Sequence, residues 1–203
     1  MSYDPLNQQE ELQKESHQVL EKLNLVEILS KYGKPTLVGS VTLGLMTWKD
    51  IDIEVITDNP NKEDIANIAS TLINLPNYRI DLTVINNEDK HNPHTPKGIY
   101  LGIKYFDDIP IQEQFGASEK VWKIDIWFLT KENAQGAIKT KEIEEKLTDE
   151  KRKIILEIKE ALATNPKYRK TIFSMDIYNA VLDNEVKNLE EFKGYLSKSG
   201  REF

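Results

Sequence analysis

Asp50 and Asp52, two aspartates separated by one residue, have the types and the spacing for metal chemistry. They begin an apolar run, Ile51–Val55, and successive side chains of a strand alternate between two faces. The aspartates and Glu54 then share one face, while the apolar residues share the other. Paired carboxylate oxygens suit Mg²⁺, a hard cation that proteins bind with a few carboxylates, waters and substrate phosphates.

A glycine–serine pair, Gly39-Ser40, ends a short apolar run before the aspartates, and nine residues separate Ser40 from Asp50. Glycine lets a backbone approach a ligand closely, and a serine at the head of a turn or short helix offers a hydroxyl and N–H groups to a phosphate. The ordered combination predicts phosphate chemistry. The alternative is a simple turn followed by an exposed acidic strand edge.

These positions resemble the nucleotidyltransferase superfamily typified by DNA polymerase beta, whose signature is Gly-Ser or Gly-Gly, a variable stretch, and Asp-x-Asp or Asp-x-Glu. Gly39, Ser40, Asp50 and Asp52 match it residue by residue. The resemblance implies an α+β fold with a mixed β-sheet flanked by helices. It also implies transfer of a nucleoside monophosphate from an NTP to an acceptor hydroxyl or phosphate, with release of pyrophosphate. The glycine and serine would hold the β- and γ-phosphates, and the aspartates would bind Mg²⁺ or Mn²⁺.

The superfamily carries a third metal-binding carboxylate on a later strand, and two aspartates compete for this role. Asp125 lies in the middle of the strongly alternating segment 121–129, in an Ile-Asp-Ile-Trp context that resembles the family's later strand. We therefore assign it as the third carboxylate, at the acceptor side. Asp81, in the alternating segment 78–85, is the rival. Lys123 shares a face with Asp125, where it would contact phosphate or form a cross-strand ion pair.

Apolar periodicity predicts the remaining elements. Helices are predicted over 7–32 (one or two), 62–75, 131–164 with a helix boundary at Thr148, 168–180 and 189–196. The family resemblance implies a further helix over 41–47, although the propensity of its residues for helix is weak. Strands are predicted over 36–38, 50–57, 78–85, 98–106 and 121–129. This order predicts an αβ domain over 1–130 and a C-terminal helical segment over 131–203. His91 and His94, beside prolines in a polar loop, favour a surface loop over a metal site.

Composition restricts the class of protein. The 203 residues are 39% hydrophobic and 30% charged, as in ordinary globular proteins, and none is cysteine, which excludes disulfides and thiolate metal sites. The net charge of −7 argues against broad nucleic-acid binding, which depends on Lys and Arg, so a small-molecule or protein acceptor is expected. No apolar stretch suggests a membrane span and no leader pattern begins the chain, so a cytoplasmic location is expected by default.

A second hypothesis is a partner-binding protein on the same fold, with little turnover, as in antitoxin-like members of the superfamily. The three acidic positions favour an enzyme, because a pure binding protein has no need of three like charges that converge on one site. The helical segment keeps the alternative open, since such segments line the acceptor site or form a homodimer in many small nucleotidyltransferases. The acceptor and the base of the NTP stay undetermined.

Overall fold

A computed structural model describes residues 4–76, 79–88, 92, 95–106 and 121–203. Its strands are β1 (Lys34–Val38), β2 (Asp50–Ile56), β3 (Arg79–Asn86), β4 (Ile99–Phe106) and β5 (Trp122–Leu129). Its helices are α1 (Pro5–Lys22), α2 (Leu25–Ser30), α3 (Ser40–Leu43), α4 (Lys62–Ile73), α5 (Gly136–Lys146), α6 (Asp149–Ala161), α7 (Ser174–Asp183) and α8 (Leu189–Lys198). The fold is α+β, as predicted. His91 and His94 lie outside the described residues.

The five strands form one mixed sheet in the order β1-β2-β5-β4-β3. Strands β2 and β5 are parallel, whereas the other neighbouring strands are antiparallel. The alternation predicted for β5 is confirmed, since its apolar face is fully buried at Trp122, Ile124, Ile126 and Phe128. The alternation predicted over 78–85 is only partly correct. Ile80 and Leu82 pack against the core, but Val84 is 53% exposed, because β3 lies at the edge of the sheet.

Two clusters of buried side chains hold the chain together. The sheet cluster joins α1, α2 and α4 to strands β2, β4 and β5. The helical cluster joins the four helices α5, α6, α7 and α8. It also includes Leu43 and Leu45, which precede β2. Arg152 donates a hydrogen bond to the carbonyl of Leu43, and Lys159 donates one to the carbonyl of Leu45. The C-terminal helices therefore pack directly on the connection that leads into the Asp-x-Asp strand, and the division at residue 130 stays a prediction.

Helix boundaries follow from local capping. Thr148 caps α6 as predicted, since its hydroxyl accepts a hydrogen bond from the Lys151 amide at 3.3 Å. The helix predicted from residue 168 is wrong at its start, and α7 begins only at Ser174. Arg169 has a left-handed backbone with a φ of 64°, and Phe173 is extended, so residues 168–172 form a turn. No described helix combines the length and the apolar character that a membrane crossing requires.

Candidate active site

The parallel pairing of β2 with β5 brings two of the predicted carboxylates together. Asp52 and Asp125 are direct partners in the register of these strands, and Asp50 is the partner of Lys123. Side chains of register partners point to the same face of the sheet. Asp50, Asp52, Asp125 and Lys123 therefore lie on one face, at the middle of the sheet.

Asp81, the rival for the third carboxylate, lies elsewhere. It is on β3, which β4 and β5 separate from β2. Its carboxylate forms an ion pair with Arg79 at 3.3 Å, and its side chain is 46% exposed. The structure thus places Asp125, and not Asp81, beside Asp52.

Asp52 is both buried and close to two other carboxylates. Burial, followed by repulsion from Asp50 and Asp125, raises the pKa of Asp52 to about 7. A carboxylate whose charged form is disfavoured in this way gains most from a bound cation. The electrostatics of the site therefore favour a cation at this position.

The donor chemistry around Asp50 also fits a hard cation. Its Oδ1 atom is buried and has no hydrogen-bond partner in the described part of the chain. Its Oδ2 atom accepts a hydrogen bond from the Trp48 indole at 3.2 Å. An unsatisfied buried carboxylate oxygen is costly unless a ligand pairs with it. Among the described residues, no group of three or more metal-ligating side chains has the geometry of a finished metal site.

Lys123 forms an ion pair with two of the carboxylates. Its Nζ atom donates a hydrogen bond to Asp125 Oδ2 and lies 3.6 Å from Asp50 Oδ1 on the neighbouring strand. Burial acts to lower the pKa of Lys123, but Asp50, Asp125 and Asp52 together raise it above its ordinary value. Of the two roles that the sequence left open for Lys123, the structure contains the ion pair.

Tyr100, which the sequence analysis missed, holds the other oxygen of Asp125. Its hydroxyl donates a hydrogen bond to Asp125 Oδ1 at 2.7 Å, and its ring packs against Trp127 with centroids 5.2 Å apart. Gly102, the register partner of Asp125, leaves room for this ring, because a Cβ there would lie 2.3 Å from the Tyr100 hydroxyl. The signal in the sequence was a glycine inside a strand, which often marks a close approach.

The Gly39-Ser40 turn joins β1 to α3, a helix of one turn that Ser40 begins. Gly39 has a φ of 72°, and a Cβ there would lie 3.0 Å from Asp52 Oδ2. Both observations explain the glycine, which tolerates positive φ and has no side chain to meet the carboxylate. The Gly39 amide donates to the Thr140 hydroxyl at 3.0 Å, so α5 reaches this turn.

A cavity of about 190 Å³ opens over this face. Gly39, Asp52 and Asp125 line one side. The C-terminal helices supply the opposite wall, with Lys139, Thr140, Met175 and Tyr178 among its residues. Asp52 and Asp125 thus line a cleft between the sheet and the C-terminal helices, where a ligand would contact both.

Glu54, which shares the acidic face of β2 with Asp50 and Asp52, has a different role. It is only 6% exposed, and its two oxygens accept hydrogen bonds from the amides of Gly136 (2.7 Å) and Ala137 (3.2 Å). A carboxylate at a helix N-terminus satisfies free N–H groups and interacts favourably with the helix dipole. Glu54 therefore ties α5 to the sheet.

Lys159 is a second residue that the sequence analysis missed. It is 1% exposed, and its Nζ atom lies 4.8 Å from the ring centroid of Trp48. Burial lowers the pKa of Lys159 to about 7. The sequence feature that indicates its burial is its place in the apolar stripe of a helix. It follows Ile158 by one position and Ile155 by four, and both isoleucines are buried. Lys159 and Arg152 thus both join α6 to the segment that precedes Asp50.

Comparison with known proteins identifies the fold. No family model and no curated protein sequence matches the chain. A structure of a cytoplasmic RNA terminal U-transferase is similar, with a TM-score of 0.55 and 18% identity over 84% of this chain and 45% of that chain. The Cid1 poly(U) polymerase bound to MgATP gives a TM-score of 0.56 and 18% identity, over 87% of this chain and 51% of that chain. The GLD-2/RNP-8 complex gives a TM-score of 0.53 and 16% identity, over 85% of this chain and 58% of that chain.

These structures belong to the nucleotidyltransferase superfamily of the DNA polymerase beta type, and the chain has their fold. It spans about half the length of the structures that it matches. At these low identities the likeness concerns the fold alone, so activity and substrates must be argued from the site.

Proposed function

We propose that this chain is a metal-dependent nucleotidyltransferase, which moves a nucleoside monophosphate from an NTP to an acceptor hydroxyl or phosphate and releases pyrophosphate. The observation that carries the proposal is the register of β2 and β5, which pairs Asp52 with Asp125 and keeps Asp50 on the same face. The likeness to nucleotidyltransferases, one of them solved with MgATP, supports the same reaction class.

In this proposal, Asp50 and Asp52 would hold the Mg²⁺ or Mn²⁺ that accompanies the triphosphate, and Asp125 would help to hold a second ion. When bound, the metal would stabilise the attacking and leaving oxygens of the transfer. Asp125, held by Tyr100, helps to remove the proton of the acceptor hydroxyl. Ser40 offers its hydroxyl to the β- and γ-phosphates, while Gly39 leaves space beside Asp52. Lys123 exchanges its carboxylate partners for phosphate oxygens.

For the acceptor, we propose a small molecule or a protein. The net charge of −7 supports this choice, because strong nonspecific binding of nucleic acid requires an excess of basic side chains. Several similar structures are RNA-tailing enzymes by name, so a short RNA belongs among the acceptors tested.

The test is transfer of label from each NTP, labelled at the α-phosphate, with Mg²⁺ or Mn²⁺ and a panel of small molecules, proteins and a short RNA. We expect transfer from at least one NTP, and its loss in Asp50→Asn and Asp52→Asn. Asp81→Asn is the matched control, since it removes a carboxylate from the edge strand and should leave transfer unchanged. Both site variants should fold, because removal of one like charge relieves repulsion.

Calorimetry of NTP binding separates the outcomes. Unchanged metal-dependent NTP binding in Asp50→Asn and Asp52→Asn would exclude this site. NTP binding that depends on both aspartates, without transfer to any acceptor, would favour the partner-binding hypothesis over an enzyme.

A further inference from the structure

Beyond Asp125, the face of the sheet that carries the carboxylates continues across β4 and β3. The register places Asp125, Gly102 and Thr83 in one line across these three strands. Thr83 and Ile85 are both exposed on this face, whereas α4 packs against the opposite face of β3. The acceptor side of the proposed site is therefore an open stretch of sheet.

An apolar row crosses this stretch, two residues along from Asp125. It consists of Trp127, Tyr100 and Ile85, which the register places side by side on β5, β4 and β3. The ring centroids of Trp127 and Tyr100 are 5.2 Å apart, and Ile85 is 51% exposed. Trp127 also lines the cavity over Asp52 and Asp125, so the apolar row begins inside that cleft. Aromatic and aliphatic surface next to a few polar groups is typical of a site for a small molecule.

On the other side of Asp125, two lysines lie opposite each other. Lys104 on β4 is the register partner of Lys123 on β5, and like charges in this position destabilise a sheet. Lys123 is neutralised by its contact with Asp125, and Asp81, the partner of Lys104 on β3, pairs with Arg79. Lys104 itself is exposed and forms no ion pair with any of the residues that the structure describes. Its ammonium group is therefore available to an anionic ligand.

Lys104 has the length to serve a ligand that lies at Asp125. Lys123 is two residues from Asp125 along β5, and its ammonium group reaches that carboxylate. Lys104 is two residues along β4 from Gly102, which is the register partner of Asp125. Because a lysine side chain is long and flexible, Lys104 can reach a ligand held between Asp125 and the apolar row.

We propose that the acceptor is a small hydroxylated ring compound with an anionic group, and that this stretch of sheet binds it. The ring lies on the apolar row, the hydroxyl faces Asp125, and the anionic group pairs with Lys104. The inference rests on the proposed function, to which it adds the chemical class of the acceptor. The hydroxyl oxygen bonds to the α-phosphorus of the NTP, and pyrophosphate leaves with the electron pair of the bond that breaks. The hydroxyl proton passes to Asp125.

The first test compares the binding of three compounds to the full chain by NMR titration. EDTA is present, so that a hydroxy acid cannot bind through a metal ion. The compound 3-phenyllactate has a ring, a hydroxyl and a carboxylate, whereas lactate lacks the ring and 3-phenyl-1,2-propanediol lacks the charge. We expect 3-phenyllactate to bind about fivefold more tightly than either of the others, the effect of one additional favourable contact.

Two pairs of variants locate the binding. Lys104→Gln should weaken 3-phenyllactate by about threefold and leave the neutral diol unchanged, because only one of the two compounds carries a charge. Lys34→Gln, on the opposite edge strand β1, is the control and should change neither. Ile85→Thr should weaken both ring compounds, since it removes part of the apolar row. Its control is Val84→Thr, because Val84 is 53% exposed on the opposite face of β3.

The outcomes distinguish this inference from the proposed function. The inference is overturned if 3-phenyllactate binds no more tightly than both other compounds. Wild-type affinity for 3-phenyllactate in both Lys104→Gln and Ile85→Thr would also overturn it. Either result would leave the nucleotidyltransferase function intact, which is judged by the transfer of label with Mg²⁺ or Mn²⁺. A wild type that binds no Mg·NTP would instead refute the proposed function, whatever the titrations show.

Discussion

Tyr100 and Gly102 act together on Asp125. The phenol donates to one carboxylate oxygen at 2.7 Å, and the glycine leaves the space in which the ring lies. Groups that orient a metal-binding carboxylate affect turnover even though they touch no substrate. In the proposed mechanism, where Asp125 would bind metal, Tyr100 is therefore a positioning residue.

Tyr100→Phe should therefore lower kcat by about tenfold or more, with a smaller change in KM for the NTP. The reason is that Asp125, proposed to act at the acceptor side, loses the hydrogen bond from Tyr100, while the groups proposed to bind the triphosphate stay in place. Steady-state kinetics, with Mn²⁺ affinity measured separately, would check this. Tyr195→Phe, on α8, is the control and should behave as wild type. An unchanged kcat in Tyr100→Phe would show that the contact only packs the sheet.

Lys159 couples the stability of the fold to pH. Burial lowers its folded-state pKa to about 7, below the ordinary value of 10.5, so the unfolded chain binds more protons than the folded chain between these values. The contribution of Lys159 to stability therefore rises as pH rises above 7, by up to about 1.4 kcal/mol per pH unit.

The comparison with Lys159→Met isolates this effect. Urea unfolding at pH 7, 8 and 9 should show that the wild type gains stability with pH relative to the variant, which cannot titrate at this position. A difference between the two proteins that stays constant over this range would mean that Lys159 keeps its charge in the folded protein.

The attachment of α5 to β2 depends on one buried carboxylate. Glu54 accepts the amides of Gly136 and Ala137, and a Cβ on Gly136 would lie 2.7 Å from Glu54 Oε1. The helix thus begins in direct contact with the Asp-x-Asp strand. The same helix then supplies Thr140 to the Gly39 amide.

Glu54→Gln should lower the free energy of unfolding by about 1–3 kcal/mol, because the negative charge is lost and one of the two part-buried amides then faces the Gln NH₂ group in place of an acceptor. Chemical denaturation at neutral pH would measure the change. Glu144→Gln, the same substitution on the exposed surface of α5, should change stability by less than about 0.5 kcal/mol. Equal effects of the two substitutions would contradict the role given to Glu54.

The two clusters of buried side chains meet at the residues that precede β2. Leu43 and Leu45 belong to the helical cluster, whereas Met46 and Ile51 belong to the sheet cluster. The contacts of Arg152 and Lys159 with the carbonyls of this connection fasten the two clusters to each other. Loss of one cluster would therefore leave the cleft over Asp52 and Asp125 without one wall.

We expect the protein to unfold in a single cooperative transition for this reason. Trp122 reports on the sheet cluster and Trp48 packs against the helical cluster, while circular dichroism follows mainly the helices. Unfolding curves in urea from tryptophan fluorescence and from circular dichroism should coincide. Two separated transitions would show instead that residues 1–130 and 131–203 are independent domains.

The local pattern of the sequence was sufficient for much of the fold. Strict alternation in β5 predicts its buried face, because successive side chains of a strand point to opposite faces of the sheet. The Gly39-Ser40 pair predicted a turn, and the run after it predicted a strand from Asp50; the structure has both. The start of α7 was predicted wrongly, since the left-handed conformation of Arg169 depends on the turn around it.

Only the tertiary structure decided which residues meet. Asp81 and Asp125 have equivalent patterns in sequence, and the strand order β1-β2-β5-β4-β3 alone puts Asp125 beside Asp52. The contacts of Tyr100 with Asp125, and of Arg169 with Trp48 and Asp50, join positions that are 25 or more residues apart. Strand pairing and helix packing create such contacts, and periodicity within one element carries no information about the neighbour it will have.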